Sequence, residues 1–203
     1  MRIAVIGSGN IGGTIGVKWA SAGHRVVFGS RDPRSPKIHT SSAASEAVQV
    51  ASIADALTDA EVVLLALPSS AVADFVAEYG SALNNKLVID ATNKFGQAVI
   101  NSLAVIQEAA PQATLVRAFN SLGWENFAEP VIDGVQVDLL YVGPDGEARA
   151  VIETLIIDIG LLPVRVGDLT QAALVDNIGA LWGALAFGQK LGRRVAFKVL
   201  TPQ

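Results

Sequence analysis

The stretch GSGNIG, residues 7–12, fits the pattern G-x-G-x-x-G and directly follows the apolar run IAVI. Helical periodicity begins at Ile11, so the motif lies at a strand-to-helix turn. In such a turn Gly7 permits the tight bend, Gly9 lets the backbone approach a pyrophosphate, and Gly12 allows close packing of helix on strand. The N–H groups at the start of the helix favour an anion. The pattern predicts a dinucleotide site, with an ordinary glycine-rich turn as its alternative.

The second apolar run, RVVFG, is followed by small and basic residues, where NAD-binding proteins place an acid. An acid would bond the ribose 2′-OH of NAD and repel the 2′-phosphate of NADP. Ser30 can donate a hydroxyl hydrogen bond to that phosphate, and Arg31 can add a planar charged contact and stack on the adenine. Arg34 and Lys37 add positive charge from the next loop, while Asp32 either points away or bonds to Arg34. The sequence thus predicts NADP(H), with a solvated basic loop as the alternative.

Short β-branched runs alternate with helical stretches up to residue 167. This alternation predicts an α/β fold of the Rossmann type, a doubly wound and mostly parallel sheet. Several runs are apolar on both faces, as strands covered by helices must be. The predicted strands are 3–7, 25–29, 48–50, 61–68, 86–92, 113–120, 137–143 and 162–167, and the predicted helices are 11–22, 69–79, 98–110 and 145–159.

The pattern changes after Gly167. Residues 169–190 predict one long helix, which is followed by the basic and apolar tail GRRVAFKVL. We therefore expect residues 1–167 to form an NADP-binding domain. Residues 168–203 are expected to form a C-terminal helical cap that packs on the same domain or on a dimer partner.

The composition excludes several kinds of site and partner. The 203 residues include no cysteine and two histidines, so neither a disulfide nor a three-histidine metal site can form. A net charge of −4 argues against nucleic acid, and residues 174–191 are too polar to span a membrane. A start in strand and turn, without a signal peptide, predicts a cytoplasmic protein. With 51% hydrophobic and 17% charged residues, apolar surface should close against a second subunit, so we expect a homodimer.

The chain resembles the F420-dependent NADP oxidoreductase family along nearly its whole length. The stretches that carry the resemblance are IAVIGSGNIGG, GHRVVFGSRDP, LLALP, VIDATN, VRAFNSLGWENFAEP and LWGALAFGQKLGRRVAFKVL. The chain is also similar to the reductase domain of the STEAP metalloreductases. The resemblance implies an NADPH-dependent oxidoreductase that transfers hydride between NADP(H) and coenzyme F420 or a flavin such as FMN or FAD.

The resemblance also implies which residues bind the cofactor. Residues of the glycine turn would contact the phosphates, the tip of the second strand would contact the 2′-phosphate, and three later strand ends would flank the nicotinamide and its ribose. All lie at predicted carboxyl ends of strands, where an open α/β sheet binds its ligands. They are Ser8, Asn10 and Ile11; Ser30 and Arg31; Ala66, Leu67 and Pro68; Asn93; and Ala118 to Asn120.

Reduction of a carbonyl needs a proton donor, and the sequence offers few. His24 precedes the second strand and is predicted to be a surface turn residue, and His39 lies nearer the adenine end. Neither Tyr79 nor Tyr141 is followed by a lysine four residues later. Lys94 is the one candidate acid, with a solvated strand-end lysine as its alternative. We therefore predict no essential catalytic side chain, because hydride transfer to a flavin-like ring needs mainly proximity and orientation.

A planar acceptor needs a flat apolar slot. The C-terminal helix offers Gly179 and Gly183 four residues apart, with Trp182 and Phe187 close by, and Trp124 is a second aromatic candidate. Small residues let either a ring or another helix approach closely. A helix–helix contact in a dimer is therefore the alternative for the two glycines.

Several alternatives stay open at this point. Arg193 and Arg194 suit either the anionic tail of F420 or the last carbonyl groups of the long helix. The function is alternatively that of a small NADPH-dependent carbonyl or imine reductase, or of a non-catalytic NADP(H)-sensing protein. The small residues Ala118, Ser121 and Gly123 argue against the sensing protein, because they would leave the nicotinamide accessible.

Overall fold

The computed structural model describes residues 1–34 and 48–202, so Lys37 and His39 lie outside the described residues. Its strands are the short, β-branched runs that the sequence predicts. A large sheet is formed by β1 (Arg2–Ile6), β2 (Arg25–Ser30), β3 (Val48–Ser52), β4 (Val62–Leu65), β5 (Leu87–Asp90), β6 (Thr114–Arg117), β9 (Asp138–Val142) and β10 (Leu162–Gly167), and a small hairpin by β7 (Val131–Ile132) and β8 (Val135–Gln136).

Helices cover both faces of the large sheet. Alternate residues of β1 show this: Ile3 and Val5 belong to one hydrophobic cluster, whereas Ala4 and Ile6 belong to the other. The helices are α1 (Asn10–Ser21), α2 (Ile53–Thr58), α3 (Val72–Tyr79), α4 (Leu103–Ala109), α5 (Trp124–Ala128), α6 (Glu147–Asp158) and α7 (Ala172–Gly183).

The strand order is β3-β2-β1-β4-β5-β6-β9-β10. The first six strands are parallel and have the Rossmann order, which confirms the predicted fold class. Strand β9 pairs antiparallel with β6, and β10 pairs parallel with β9. The order reverses between β1 and β4, so their carboxyl ends flank the crevice where such sheets bind ligands.

The C-terminal part packs on the same chain. The helical run predicted over 169–190 comprises a 3₁₀ turn at Leu169–Gln171, α7, and a π turn at Ala184–Gly188. The tail then folds back, because the indole Nε1 of Trp182 donates to the carbonyl of Val195 at 2.8 Å. The ammonium group of Lys198 also bonds Asp138 at 2.6 Å. The tail is thus held against both α7 and β9.

The structure adds elements that the sequence reading missed and shortens one that it predicted. Helices α2 and α5 and the β7–β8 hairpin were not predicted. Helix α2 has a local signal, since the side chain of Ser52 caps it by accepting from the N–H of Asp55 at 3.1 Å. Helix α4 begins at Leu103 rather than at residue 98, because Asp90 accepts from the N–H of Ser102 at 2.7 Å and holds the preceding residues in a loop.

The prediction that His24 is a surface residue was wrong. Its side chain is buried, and Nε2 lies 2.7 Å from the carboxylate of Asp158 at the end of α6. The imidazole therefore ties the start of β2 to α6, at the sheet edge opposite the carboxyl ends of the strands. Within the described ranges, every helix is too short or too polar to traverse a lipid bilayer.

Helix α1 lies so close to β2 that a methyl group at Gly16 has no room. A Cβ there would be 2.5 Å from the ring carbon Cζ of Phe28, which is fully buried. We expect Gly16→Ala to lower the free energy of unfolding by about 1–3 kcal/mol through overpacking. Urea denaturation measures this change.

Gly183→Ala is the matched control. A Cβ at Gly183 would meet nothing within 4 Å, and the residue has helical backbone angles. Alanine should therefore be neutral or should stabilise the helix by up to about 1 kcal/mol. Equal effects of the two substitutions would show that the α1–β2 contact is not tightly packed.

Candidate functional site

A groove of about 830 Å³ opens at the carboxyl ends of β1, β2 and β4. This is the crevice at the reversal of strand order, where the fold type predicts a ligand. The groove brings together most of the predicted cofactor residues with several that were not predicted. Its lining includes Gly7, Ser8, Gly9, Asn10, Ile11, Ser30, Arg31, Asp32, Ile53, Ala66, Leu67, Pro68, Asp74, Phe75, Glu78, Tyr79, Trp124 and Arg193.

The glycine turn forms one wall of this groove. Gly7 has a φ of +107°, and a Cβ there would lie 2.4 Å from the carbonyl oxygen of Ala66. A Cβ at Gly12 would lie 2.0 Å from the carbonyl oxygen of Gly7, so both positions require glycine. Helix α1 starts at Asn10 without a side-chain cap, because its N-cap residue is Gly9. Its first N–H groups are therefore available to an anion, and the turn fits a pyrophosphate.

The tip of β2 forms one end of the groove. Ser30 is buried, and its Oγ accepts a 3.0 Å hydrogen bond from the N–H of Asp32, which leaves the hydroxyl hydrogen able to donate to a ligand. Arg31 is exposed beside it. Asp32 accepts a hydrogen bond from the backbone N–H of Arg34, at 3.0 Å from its Oδ1. This is the predicted alternative in which Asp32 bonds to Arg34. Arg34 itself does not line the groove.

Two turns of α3 form a wall that the sequence reading did not predict. Phe75 and Tyr79 lie four residues apart on this helix, with ring centroids 5.6 Å apart. Asp74 and Glu78 lie beside them and also line the groove. Hydrogen bonding to Glu78 raises the pKa of Tyr79, so the phenol stays protonated and can donate a hydrogen bond at neutral pH. This wall adds aromatic surface and negative charge to the groove.

A buried arginine lies behind the carboxyl ends of β5 and β6. The Arg117 guanidinium donates four hydrogen bonds and makes ion-pair contacts with Asp90 and Asp176. Nε and Nη2 bond the Oδ1 of Asp176 at 2.9 and 2.8 Å, and Nη2 also bonds the Oδ1 of Asn93 at 2.7 Å. Nη1 bonds the carbonyl oxygens of Thr92 at 2.5 Å and Asp90 at 3.1 Å. Arg117, Asp90, Asp176 and Asn93 are referred to below as the Arg117 hub.

The charged residues of this hub are recognisable in the sequence as interruptions of apolar runs. Asp90, Arg117 and Asp176 each interrupt an apolar run, in VIDAT, TLVRAF and LVDNIG. A charged residue inside a buried element needs a partner of opposite charge, because burying an isolated charge is costly. Local periodicity assigns the three runs to strands and a helix, but it does not indicate which residues pair with these charges.

The three predicted nicotinamide-flanking residues belong to the hub or adjoin it. Asn93 accepts from Arg117 and donates through Nδ2 to the carbonyl of Asn120 at 2.9 Å, so its amide orientation is fixed. Ala118 and Asn120 are buried, and none of the three is part of the groove lining. Between them Phe119 has a φ of +61°, a conformation that is strained for a bulky residue. Such strain is typical of functional segments.

The four predicted acceptor-pocket residues fall into two places. Trp124, at the start of α5, lines the groove. The other three residues, Gly179, Trp182 and Gly183, lie on α7 and do not line the groove. A Cβ at Gly179 would lie 3.1 Å from the carbonyl oxygen of Asn120, whereas a Cβ at Gly183 would meet no atom within 4 Å. The close contact of Gly179 is thus with its own chain. A subunit contact at Gly183 stays a prediction.

Arg193 connects these two places. Its guanidinium carbon lies 5.5 Å from the ring centroids of both Trp182 and Phe187, and its Nε bonds the Oε1 of Glu125 at 2.5 Å. Arg194 bonds Glu129 and, at 3.0 Å, the carbonyl of Val131. Of the two alternatives for these arginines, the one in which they bond the last carbonyl groups of the long helix was therefore wrong. Arg193 instead brings a positive charge to the groove beside Trp124.

The remaining candidates for acid–base chemistry lie elsewhere. Lys94 makes backbone hydrogen bonds with Ile100 and Gln97 and is not among the groove residues. The hydroxyl of Tyr141 donates to Glu153 at 2.7 Å, and burial raises the pKa of this phenol. In residues 1–34 and 48–202, no cluster of histidine and carboxylate side chains suits a metal ion.

Comparison with known proteins supports the assignment of the glycine turn and the tip of β2 to an NADP(H) site. Residues 2–94 match the family described as NADP oxidoreductase, coenzyme F420-dependent. The predicted resemblance to this family is confirmed. The matched part contains the glycine turn, the tip of β2 and the strand end at Ala66, which together line the groove.

The chain is 27% identical to an F420-dependent NADP reductase of Methanothermobacter thermautotrophicus, over 89% of this chain and 87% of that protein. It is also 27% identical to a glycerol-3-phosphate dehydrogenase [NAD(P)+] of Paracoccus denitrificans, over 99% of this chain, but it spans only 65% of that enzyme's length. Rat metalloreductase STEAP3 is 24% identical, and the chain spans 36% of its length.

A solved structure from Arthrobacter sp. FB24, provisionally assigned as an F420-dependent NADP-reductase, has 26% identity and a TM-score of 0.83. The match covers 99% of this chain and all of that one. It therefore includes the C-terminal helix and tail, beyond the part that the family model matches. The whole chain is thus similar to NADP-linked oxidoreductases.

We expect removal of the buried guanidinium to unfold the hub. Arg117→Met should lower the free energy of unfolding by about 3–5 kcal/mol, because Asp90 and Asp176 would stay buried without a cation. Arg149→Met is the matched control: Arg149 pairs with Asp145 and Glu153 on the surface of α6, so its loss should cost at most about 1 kcal/mol. Denaturant unfolding of both variants measures this difference, and similar losses would contradict the central role of Arg117.

Proposed function

We propose that this protein is an NADPH-dependent oxidoreductase that binds NADP(H) in the groove and transfers hydride to coenzyme F420 or a flavin. The observation that carries the proposal is the shared lining: the uncapped start of α1 and the Ser30–Arg31 tip of β2 face one groove. The first suits a pyrophosphate and the second suits a 2′-phosphate. The family match over residues 2–94 supports the same cofactor.

The residues of the chain then have distinct roles. The N–H groups at the start of α1 bind the pyrophosphate, and Ser30 and Arg31 bind the 2′-phosphate. Ala66, Leu67 and Pro68 supply the apolar side of the groove, at the carboxyl end of β4. When bound, NADPH supplies the hydride from its nicotinamide ring. The chain contributes orientation, and the rigid Arg117 hub keeps the strand ends in place beside the groove.

The acceptor is proposed to lie at the Trp124 end of the groove. Trp124 offers an aromatic face to a planar ring, and Arg193 offers a positive charge to an anionic group. Among the described residues that line the groove, Tyr79 on the α3 wall is the one tyrosine, and neither a lysine nor a histidine is present. A deazaflavin or flavin ring can take its proton from solvent, whereas an imine or carbonyl requires a positioned acid. This difference favours F420 or a flavin over a carbonyl or imine substrate.

Arg31→Ala tests the 2′-phosphate assignment. Loss of a charge-assisted contact should weaken NADPH binding by roughly ten- to hundredfold and leave NADH binding nearly unchanged. Arg25→Ala is the matched control, since Arg25 starts the same strand at its opposite end. Titration of each cofactor by fluorescence measures the affinities. An equal loss for NADPH and NADH would contradict the assignment.

Trp124→Ala tests the position of the acceptor. If the ring binds at the Trp124 end of the groove, this change should raise the KM for F420 or FMN about tenfold and leave NADPH affinity nearly unchanged, since aromatic contacts contribute about 1–1.5 kcal/mol. Gly183→Leu serves as the comparison. If the acceptor instead binds beside α7, Gly183→Leu should block it and Trp124→Ala should not.

The same measurement separates the candidate functions. NADPH oxidation is followed with F420, with FMN, with a cyclic imine and without acceptor. Turnover with the imine alone would identify a carbonyl or imine reductase. NADPH binding without turnover of any acceptor would favour the sensing protein.

A further inference from the structure

The Arg117 hub contains more negative than positive charge. One guanidinium faces two carboxylates, with 3.4 Å from Nη1 to the Oδ2 of Asp90 and 2.8 Å from Nη2 to the Oδ1 of Asp176. The three side chains are 0%, 1% and 9% exposed. Within the described part of the chain, neither carboxylate pairs with another cation. The buried group therefore has a net charge of −1.

The hydrogen bonds around the two acids hold their carboxylate oxygens in place. Asp90 accepts from the N–H and the hydroxyl of Thr92, at 2.9 and 2.6 Å, and from the N–H of Ser102 at 2.7 Å. Asp176 accepts from the amide Nδ2 of Asn101 at 2.7 Å in addition to Arg117. The excess charge is thus built into the network.

A second feature points from the hub toward a ligand. Asn120 is 95% buried; its Nδ2 lies 3.4 Å from the Oδ1 of Asp176, and its own Oδ1 has no hydrogen-bond partner in the described residues. The opposite amide orientation would place two oxygens against each other, so the unpaired oxygen is forced by the carboxylate. An unpaired buried oxygen costs about 1–3 kcal/mol. Asp176 and Asn120 thus maintain a negative potential at the carboxyl ends of β5 and β6.

We propose that this uncompensated charge makes the site bind the oxidised nicotinamide in preference to the reduced one. The inference rests on the proposed function. The hub lies beside the groove, because Asp90 at the end of β5 pairs with Leu65, the residue that precedes Ala66 of the groove lining. When hydride leaves NADPH, its two electrons go to the acceptor and the nicotinamide ring gains a charge of +1. A buried negative charge attracts the ring only after this change, and low-dielectric surroundings strengthen the attraction.

The consequence is a direction for the reaction. A site that binds NADP⁺ better than NADPH, relative to their behaviour in water, makes the bound NADPH a stronger hydride donor. The charged residues of the hub, Asp90, Arg117 and Asp176, reach this effect without touching the ring, because Coulomb interaction acts over several ångströms inside a protein. They are positioning and electrostatic residues, and they are distinct from the groups that contact the cofactor.

Asp176→Asn tests the inference, because it removes one charge and keeps the shape of the side chain. The dissociation constants of NADP⁺ and NADPH are measured at equilibrium by quenching of tryptophan fluorescence or by calorimetry, without an acceptor. We expect the ratio Kd(NADP⁺)/Kd(NADPH) to rise about threefold or more, since the hub becomes neutral. Asp176→Glu, which keeps the charge and disturbs the packing, should leave the ratio near that of the wild type.

Asp158→Asn is the matched control. Asp158 is also a partly buried carboxylate with one close partner, His24, but it lies at the opposite edge of the sheet. Its substitution should not change the ratio. If Asp176→Asn fails to fold, Asp90→Asn removes the same charge from the other side of Arg117, and the same ratio is measured.

The outcomes separate the inference from the proposed function. The inference is supported if Kd(NADP⁺)/Kd(NADPH) rises for Asp176→Asn or Asp90→Asn but not for the controls Asp176→Glu and Asp158→Asn. Equal weakening of NADP⁺ and NADPH would overturn it and would leave the hub with a purely structural role. Failure of the wild-type protein to bind either cofactor would overturn the proposed function itself.

Discussion

The buried guanidinium of Arg117 connects parts of the chain that are far apart in the sequence. It joins the end of β5, the end of β6, the loop that follows Asp90 and the helix that contains Asp176. Its four hydrogen bonds, donated from one plane, constrain the positions of their acceptors, because removing a partner from a buried charge is costly. The C-terminal helix is thereby attached to the sheet at the same edge as the cofactor groove.

The groove itself depends on a second constraint, the close approach of backbone to backbone. Gly7 lies against the carbonyl of Ala66, and Gly12 lies against the carbonyl of Gly7, so the turn, β4 and α1 meet without intervening side chains. Because the first N–H groups of α1 have no side-chain cap, an anion is the natural partner for them. The turn thus combines tight packing with an exposed patch of donors, and both properties come from the same glycines.

The two ends of the groove differ in how they are built. The phosphate end uses one local segment and the tip of the adjacent strand. The Trp124 end is assembled from α5 and the C-terminal tail, where Arg193 is held by Glu125 and by the rings of Trp182 and Phe187. The proposed acceptor site thus depends on segments that are distant in the sequence, and a substitution in either one can change it.

The sequence alone determined the features that depend on local spacing. The glycine turn, the eight strands of the large sheet and the Ser30–Arg31 tip follow from residue types within a few positions of one another, and periodicity then indicated the fold class. Tertiary structure alone decided which charges meet. Asp90 and Arg117 are separated by 27 residues and Arg117 and Asp176 by 59, and no local pattern links them. The same holds for the α3 wall, the burial of His24 and the partners of Arg193, because each depends on which elements pack side by side once the chain has folded.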